Sequence, residues 1–361
     1  MRTSRISAVL LAVLVIHPVS VTACTGIRMH AEDGAVVCAR TLEFGMDLCS
    51  NVIIVPRGKS YVGTTNVDRP GMPWTANYGS TGANAFDLPV IVDGVNEKGL
   101  AVGIFYFPGY AKYQKTTPAD AATTLAPWEL PTYLLGSCTD VAEALAAVKS
   151  VRVGEVVQRD FGFVPPCHYV VHDAAGESAV LEYIEGELRT YANPLGVFSN
   201  APTFDWHMTN LRNYVNLSVT NVPPVEMQGI KISGFGQGNG LLGLPGDFTP
   251  PSRLVRAVAF SQSAIPVKTA REAVLQAFHI LNQFDIPRGA VRDVEHGQVH
   301  DEYTLWTSAA DMANHRYYFH TFANRRIRMI DLAEVDLDAA EIKTVSMAGD
   351  EVFEDLSKAG R

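Results

Sequence analysis

Short segments rich in β-branched and aromatic residues follow residue 24 and predict that the chain enters a β-sheet there. Turn sequences such as Asp33-Gly34 separate the first of them, and the turn at residues 96–99 contains a glycine that can adopt a positive φ. The predicted strands of this region are residues 25–30, 36–41, 52–55, 89–92 and 100–107.

Helical spacing of apolar residues appears in three segments further along the chain. Residues 139–150 form one predicted helix, capped by Thr139, and residues 252–264 and 268–284 form two more. The last opens with the capping box Thr269 to Glu272. Further strands are predicted at 169–171, 178–184, 188–192, 303–308, 316–322 and 326–330. Strands, then helices, then strands predict an α+β fold with helices packed on antiparallel sheets.

Two polar, Gly/Pro-rich segments, residues 213–246 and 287–302, read as long loops. Loops of this length in a compact domain usually serve function or assembly, or are disordered. The sequence contains no internal repeat and no long low-complexity linker. We therefore expect residues 24–361 to form a single domain.

Residues 1–23 have the layout of a secretory signal peptide. Arg2 and Arg5 precede the apolar residues 6–16, and small residues end at Ala23. The apolar stretch is too short to span a bilayer, which takes about 20 apolar residues. We expect cleavage after Ala23 and a periplasmic or secreted protein; the alternative is an uncleaved membrane anchor.

The remaining chain is acidic. Residues 24–361 carry 27 Lys and Arg against 38 Asp and Glu, a net charge of −11. Such a charge argues against nucleic acid or an anionic membrane surface as a partner.

The number of cysteines is odd, so at least one thiol of an exported chain is free unless it pairs between chains. No pairing follows from the spacing, and no CxxC or paired metal-ligand motif is present. The five are Cys24, Cys38, Cys49, Cys138 and Cys167.

Cys24 stands directly after the predicted cleavage point, and two incompatible roles fit it. A cysteine exposed at the N-terminus can act as a nucleophile with its own α-amine as the base, since that amine titrates near pH 8. Alternatively, Val21-Thr22-Ala23-Cys24 fits the loose pattern of bacterial lipoproteins, in which the cysteine is acylated. Direct continuation into strand-like sequence favours the nucleophile.

Three residues are candidates to assist such a nucleophile. Arg40 ends the predicted second strand and can lie beside Cys24, and Glu43 can hold the ammonium form of the α-amine. Asn200 lies in a turn from which its amide can reach an oxyanion. A surface ion pair for Arg40 and an Asx-turn for Asn200 are the ordinary alternatives.

Several motifs in the same order resemble the choloylglycine hydrolase family, N-terminal-cysteine hydrolases that include bile salt hydrolases and penicillin V acylases. The resemblance covers nearly all of the chain after residue 23. It implies a four-layer αββα N-terminal-nucleophile hydrolase fold without cofactor or metal, commonly assembled as a homotetramer. The motifs are CTGIRMHAEDGAVVCARTLEFG, VNEKGLAVGIFYFPGY, NPLGVFSNAPTFDWHMTNLRNY, LPGDFTPPSRLVRA and YTLWTSAADMANHRYYFHTFANRRIR.

The resemblance assigns a role to each matching position near the N-terminus. Cys24 matches the nucleophile and Arg40 the arginine beside its thiol. Glu43 stands where the family usually has the aspartate that binds the α-amine, which makes the side chain one methylene longer; Asp47 is a weaker substitute.

Three later positions complete the implied site. Asn200 matches the oxyanion-hole asparagine, and Tyr106 matches the residue whose backbone N–H completes that hole. Arg253 matches a second active-site arginine, for which capping or pairing at a helix start is the alternative role.

The resemblance implies that the protein hydrolyses a linear amide with an apolar acyl group through a Cys24 thioester. A penicillin V-like amide, a bile salt or an N-acyl homoserine lactone are the candidate substrates, and Tyr106 favours a phenoxyacetyl or fatty-acyl group. We expect aromatic residues to line the acyl pocket: Phe44, Phe105, Phe107, Phe204 and Trp206.

Two other hypotheses compete with this one. The first is a lipid-anchored, non-enzymatic binding protein of the same fold in which Cys24 is acylated. The second is a thiol hydrolase that uses Cys167 and His168, although neighbours on a strand point to opposite faces. A zinc pair at His296 and His300 is not expected, because Gly297 and the surrounding polar residues disfavour a helix.

Overall fold

The computed structural model describes residues 23–295 and 298–358. One antiparallel sheet carries the N-terminal strand Cys24–His30 at its edge, paired with Val36–Phe44 in a register that sets Cys24 opposite Leu42. The sheet continues through Gln298–Asp311 and Arg316–Thr321 to Arg328–Asp331, and Val291–Glu295 pairs with the start of Gln298–Asp311.

A second antiparallel sheet packs against the first. Its eight strands are, in order across the sheet, Glu187–Ala192, Ser178–Ile184, Cys167–His172, Ala101–Tyr106, Asp93–Asn96, Ser80–Ala83, Asn51–Val55 and Lys343–Ser346. Buried side chains from both sheets, among them Cys24, Phe105 and Trp306, form one apolar core between them.

Helices cover the outer face of each sheet. Pro250–Ser263 and Ala270–Leu281 pack on the first sheet, with Ile27 and Val37 in their shared core. Leu130–Ser137 and Val141–Ser150 pack on the second sheet. A further helix, Phe204–Asn210, follows the turn that contains Asn200. This order of layers confirms the predicted four-layer αββα arrangement.

Small two-stranded ribbons complete the description. They pair Ser60–Val62 with Pro73–Thr75, Thr124–Leu125 with Arg152–Val153, and Val225–Met227 with Ile230–Ile232. The last ribbon lies within the predicted loop 213–246, and all its residues are exposed. Within the described residues, no helix has the length and apolar character needed to cross a bilayer. Residues 1–22 of the predicted leader lie outside the described part.

Local expectations failed at three places. The strand before the turn at 96–99 is Asp93–Asn96, whereas 89–92 is irregular. Within the predicted loop 287–302, Val291–Glu295 and the start of Gln298–Asp311 form paired antiparallel strands. The helix expected at 139–150 begins at Val141 and is capped by Asp140, whose carboxylate accepts the Glu143 N–H at 2.8 Å. The capping box from Thr269 to Glu272 is confirmed.

Candidate active site

Cys24 is buried at the edge of the first sheet, with 3% of its surface exposed. Ala23 precedes it in the described chain, so the Cys24 nitrogen is a peptide N–H here; it donates to Asn200 Oδ1 at 2.6 Å. The Ala23 carbonyl accepts the Glu43 N–H at 2.9 Å, and the Ala23 N–H donates to Glu302 Oε1 at 2.9 Å. The chain on both sides of the Ala23–Cys24 bond is therefore fixed by hydrogen bonds.

The Asn200 side chain bridges the two sheets. Its Nδ2 donates to the Tyr106 carbonyl at 2.8 Å, while Oδ1 accepts from Cys24 and also from Arg253 Nη2 at 2.7 Å. These contacts fix which end of the amide is the nitrogen. Because Nδ2 carries two hydrogens and Tyr106 takes one, the second is left for an incoming oxygen.

The Tyr106 N–H lies on the Asn200 side of its strand. The next residue, Phe107, donates its N–H at 2.7 Å to the carbonyl of Pro166, directly before the neighbouring strand Cys167–His172. Successive N–H groups of a strand point to opposite sides, and the N–H and C=O of one residue share a side. The Tyr106 N–H therefore points away from Pro166, to the side where its carbonyl meets Asn200.

Arg253 ties strand Cys24–His30 to the turn that contains Asn200. It projects from helix Pro250–Ser263 and is fully buried. Nη1 donates to the Cys24 carbonyl and, at 2.8 Å, to Thr25 Oγ1. Nε donates to the Phe248 carbonyl at 2.8 Å. The helix-capping role considered for Arg253 is thus replaced by contacts with both Cys24 and Asn200.

Arg40 lies two residues before Leu42, the residue that pairs with Cys24, and is also buried. Its guanidinium stacks over Phe105 at 4.0 Å from the ring centroid and lies 3.8 Å from Asp93 Oδ1. Asp93 Oδ2 accepts hydrogen bonds from Ser308 and Tyr317 at 2.7 and 2.8 Å. Arg40 is therefore held in the core as a fixed positive charge and is no surface ion pair.

Glu43 lies in the same buried region but does not contact the Cys24 nitrogen. Its Oε1 accepts from Thr304 Oγ1 at 2.9 Å, and Oε2 is buried without a partner. Burial raises the pKa of Glu43 to about 7, against the opposing effect of Arg253. Asn200 accepts the hydrogen bond from the Cys24 nitrogen that the resemblance implies for Glu43. The weaker candidate Asp47 is exposed and accepts the Cys49 N–H at 2.8 Å.

Burial and the neighbouring charges together set the pKa of the Cys24 thiol. Burial raises the pKa of Cys24 above its usual value, and Glu43 adds to this; Arg40 and Arg253 act in the opposite direction. The uncut chain thus holds the thiol in its protonated form. A positive charge on the Cys24 nitrogen after cleavage would favour the thiolate.

An apolar cavity with a volume of ≈ 80 Å³ opens beside Cys24 and Arg40. Leu48 and Ala85 form part of its aliphatic wall. Aromatic rings form much of the rest, namely Phe44, Phe86, Tyr106, Trp128 and Phe161.

Of the aromatic residues expected to line the pocket, only Phe44 does so within the described residues. Phe105 packs under Arg40, and Phe107 stacks on His168 at 4.2 Å. Phe204 packs near Phe198 in the core, and Trp206 is 44% exposed. Of the other lining rings, Tyr106 ends strand Ala101–Tyr106 and Trp128 lies in the 3-10 helix Pro127–Glu129. Phe86 and Phe161 come from loops, where no periodic pattern marks them.

Cys167 and His168 do not form a thiol–imidazole couple. Cys167 lines the cavity, whereas the His168 ring stacks on Phe107 and is hydrogen-bonded through Nδ1 to Glu182 Oε1 at 3.2 Å. Burial lowers the pKa of His168 well below its usual value and raises that of Glu182 to about 8. His168 is therefore a neutral core residue.

Two residues near Cys24 were missed by sequence analysis. His207 Nε2 donates to the Asn200 carbonyl at 2.8 Å, and its ring is 1% exposed. Glu302 contacts Ala23, as described above. His207 lies seven residues after Asn200 in the same quoted motif, and this proximity in sequence could have indicated it. Glu302 fell in the predicted loop 287–302, where no sequence pattern pointed to it.

All five cysteines are unpaired. Within residues 23–295 and 298–358, no cluster of three His, Cys, Asp or Glu side chains could hold a metal ion. Of the rejected zinc pair, His296 lies outside the described residues.

Comparison with known proteins gives one consistent answer. The model of a family described as linear amide C–N hydrolases, choloylglycine hydrolase family, matches residues 24–345. A bile salt hydrolase/transferase of Clostridium perfringens is 32% identical over 325 residues, which cover 89% of this chain and 96% of that protein. A penicillin V acylase of Pectobacterium atrosepticum is 25% identical, covering 83% and 78% of the two chains.

Solved structures agree on the fold. A mutant conjugated bile acid hydrolase from Clostridium perfringens superimposes with a TM-score of 0.82 at 30% identity, covering 92% of this chain and 99% of that one. Penicillin V acylase from Agrobacterium tumefaciens gives a TM-score of 0.72 at 22% identity, covering 90% and 92%.

Proposed function

Because the chain belongs to the choloylglycine hydrolase family of linear amide C–N hydrolases, we propose that this amide hydrolase is exported and uses Cys24 as an N-terminal nucleophile. The observation that carries the proposal is the contact between the Cys24 nitrogen and Asn200 Oδ1 at 2.6 Å. It links Cys24 to the residue best placed to stabilise an oxyanion. The family match also begins at residue 24.

Catalysis starts with the thiol proton passing to the α-amine, which leaves a thiolate and an ammonium group on Cys24. The sulfur attacks the amide carbonyl, and the π electrons move to the carbonyl oxygen. The remaining hydrogen of Asn200 Nδ2 and the Tyr106 N–H stabilise that oxyanion. Arg40 and Arg253 supply fixed positive charge around the thiolate.

The second half of the reaction returns the enzyme to its starting state. The ammonium of Cys24 gives its proton to the leaving nitrogen as the C–N bond breaks, so that an amine departs and a thioester remains. Water then attacks the thioester, with the amine as base. The acid product leaves, and the thiol is restored.

The cavity supports an amide with a narrow apolar acyl group. Its aromatic walls fit a phenyl ring or a single alkyl chain, because such groups bury apolar surface against flat rings. This favours an aryloxyacetyl or fatty-acyl amide, including N-acyl homoserine lactones. A bile-acid amide is the second candidate, favoured by the 32% identity to a bile salt hydrolase/transferase; its fused rings would extend beyond the cavity.

Export to the periplasm or medium and assembly into a homotetramer complete the proposal. The layout of residues 1–23 supports export. The exposed ribbon of Val225–Met227 and Ile230–Ile232 presents apolar side chains to solvent, which is typical of a surface covered by another subunit.

A substrate panel tests the proposal. The exported protein is assayed with penicillin V, glycine- and taurine-conjugated bile acids and N-acyl homoserine lactones. We expect hydrolysis of at least one, loss of activity in Cys24→Ser and retention in Cys167→Ser. Activity that survives Cys24→Ser but not Cys167→Ser would indicate the alternative thiol hydrolase. A Cys24 that carries a diacylglyceryl group would indicate the lipid-anchored binding protein.

A further inference from the structure

A buried carboxyl group holds the backbone just before the nucleophile. Glu302 Oε1 accepts the Ala23 N–H at 2.9 Å across 279 residues of sequence, and Glu302 is 5% exposed. It projects from strand Gln298–Asp311, which pairs with Val36–Phe44 next to the nucleophile strand. A carboxyl group is costly to bury without a partner, so this position needs a donor in every state of the protein.

Glu302 belongs to a buried cluster with a second carboxyl group, Glu43. The two carboxylates repel each other, and Arg253 attracts both. Arg40, which also faces Asp93, attracts Glu43. Burial outweighs the attraction to Arg253 and raises the pKa of Glu302 to about 8. A further cation beside Glu302 would stabilise its carboxylate.

Cleavage before Cys24 supplies that cation. Hydrolysis of the peptide bond adds a hydroxyl to the Ala23 carbonyl and hydrogen to the Cys24 nitrogen, which becomes an amine. Departure of Ala23 removes the N–H that Glu302 accepts. Consecutive backbone nitrogens are about 3.5 Å apart. The new ammonium has two hydrogens besides the one that Asn200 accepts, and these can point towards the Glu302 side of the strand.

We propose that Glu302 is a further positioning residue of this enzyme. It binds the Ala23 N–H before cleavage and, with Glu43, the Cys24 ammonium afterwards. The inference rests on the proposed function, since it requires a free amine at Cys24. Two carboxylates and Asn200 Oδ1 then orient the ammonium that delivers a proton to the leaving nitrogen. The longer side chain of Glu43 is thereby assisted by a second acid from another strand.

The crystal structure of the processed protein tests the geometry without any substrate or variant. We expect a Glu302 carboxylate oxygen within about 3.2 Å of the Cys24 nitrogen. A Glu302 side chain that turns away and leaves this distance above about 4 Å overturns the proposal. If processed chains hydrolyse no amide of the panel, the proposed function fails. The distance between the Glu302 carboxylate and the Cys24 nitrogen still decides whether Glu302 binds the amine.

Kinetics of Glu302→Gln separate positioning from a structural role. We expect kcat to fall by about 100-fold, as for a misplaced catalytic group, with KM nearly unchanged. Removing a negative charge beside the ammonium lowers the pKa of the amine, so the alkaline limb of kcat/KM moves down by about one pH unit. Glu302→Asp should restore part of kcat.

Asp301→Asn is the matched control. It removes the same charge from the neighbouring residue, whose carboxylate lies 3.9 and 3.6 Å from exposed Arg288 and Arg292 instead. We expect this variant to keep the wild-type pH profile. A Glu302→Gln enzyme that loses thermal stability but keeps the wild-type kcat and pH profile contradicts the positioning role.

Discussion

Asn200 accepts the Cys24 N–H at Oδ1, 2.6 Å away, and thereby joins Cys24 to the second sheet. Its Nδ2 reaches the Tyr106 carbonyl at 2.8 Å, so the same side chain orients both halves of the site. A single amide that bridges two sheets makes the packing of the sheets part of the catalytic geometry.

Replacement of Asn200 by alanine removes one donor from the oxyanion site. We expect kcat to fall by about 10²–10³-fold, the usual cost of losing one such donor, with a smaller change in KM. Steady-state kinetics on the best substrate of the panel measure this. Asn213→Ala, at an exposed position of the following segment, serves as the control and should behave as wild type.

His207 should act on catalysis only through Asn200. Burial lowers its pKa to about 4, so it is neutral above that pH and donates through Nε2 to the Asn200 carbonyl. His207→Leu removes the donor, and we expect kcat to drop by about tenfold or more as the asparagine shifts. His207→Gln, whose amide nitrogen can reach the same place, should recover most of it. Equal loss in both variants would argue against the hydrogen bond as the cause.

Ala85 provides a test of the acyl cavity. Ala85→Phe fills space between the aromatic walls, so kcat/KM for substrates with bulky acyl groups should fall by about 10–100-fold. The small reagent iodoacetamide should still alkylate Cys24 at the wild-type rate. If bulky and short acyl amides lose activity equally, the acyl group binds elsewhere.

Glu182 makes stability depend on pH. Its pKa is raised from 4.5 to about 8 by burial, so the folded protein keeps a proton that the unfolded chain releases. The stability contributed by this proton is present below pH 4.5 and is lost as pH rises towards 8. Glu182→Gln should flatten the fall in unfolding free energy between pH 5 and 8 by up to about 1.4 kcal/mol per pH unit. Denaturant titrations at several pH values measure it, with Glu187→Gln on the exposed edge strand as control. A slope unchanged from wild type would show that Glu182 ionises normally.

Local pattern predicted much of the fold. Strand Ser178–Ile184 and the capping box at Thr269 follow from β-branched runs and side-chain capping, which act over a few residues. Strand Asp93–Asn96 was misplaced because Asp-Gly-Val-Asn reads as a turn; pairing with a strand on each side makes it extended. Glu302 was missed because its partner is 279 residues away, and no local pattern records such a contact.

The mass of the N-terminal peptide tests the central claim most directly. The exported protein is quenched during turnover of an active amide, digested and analysed for the peptide that contains Cys24. We predict a peptide that begins at Cys24, has a free α-amine and carries one acyl group as a thioester that hydroxylamine removes. A diacylglyceryl group on Cys24, or an intact Ala23–Cys24 bond in fully active protein, would contradict the account.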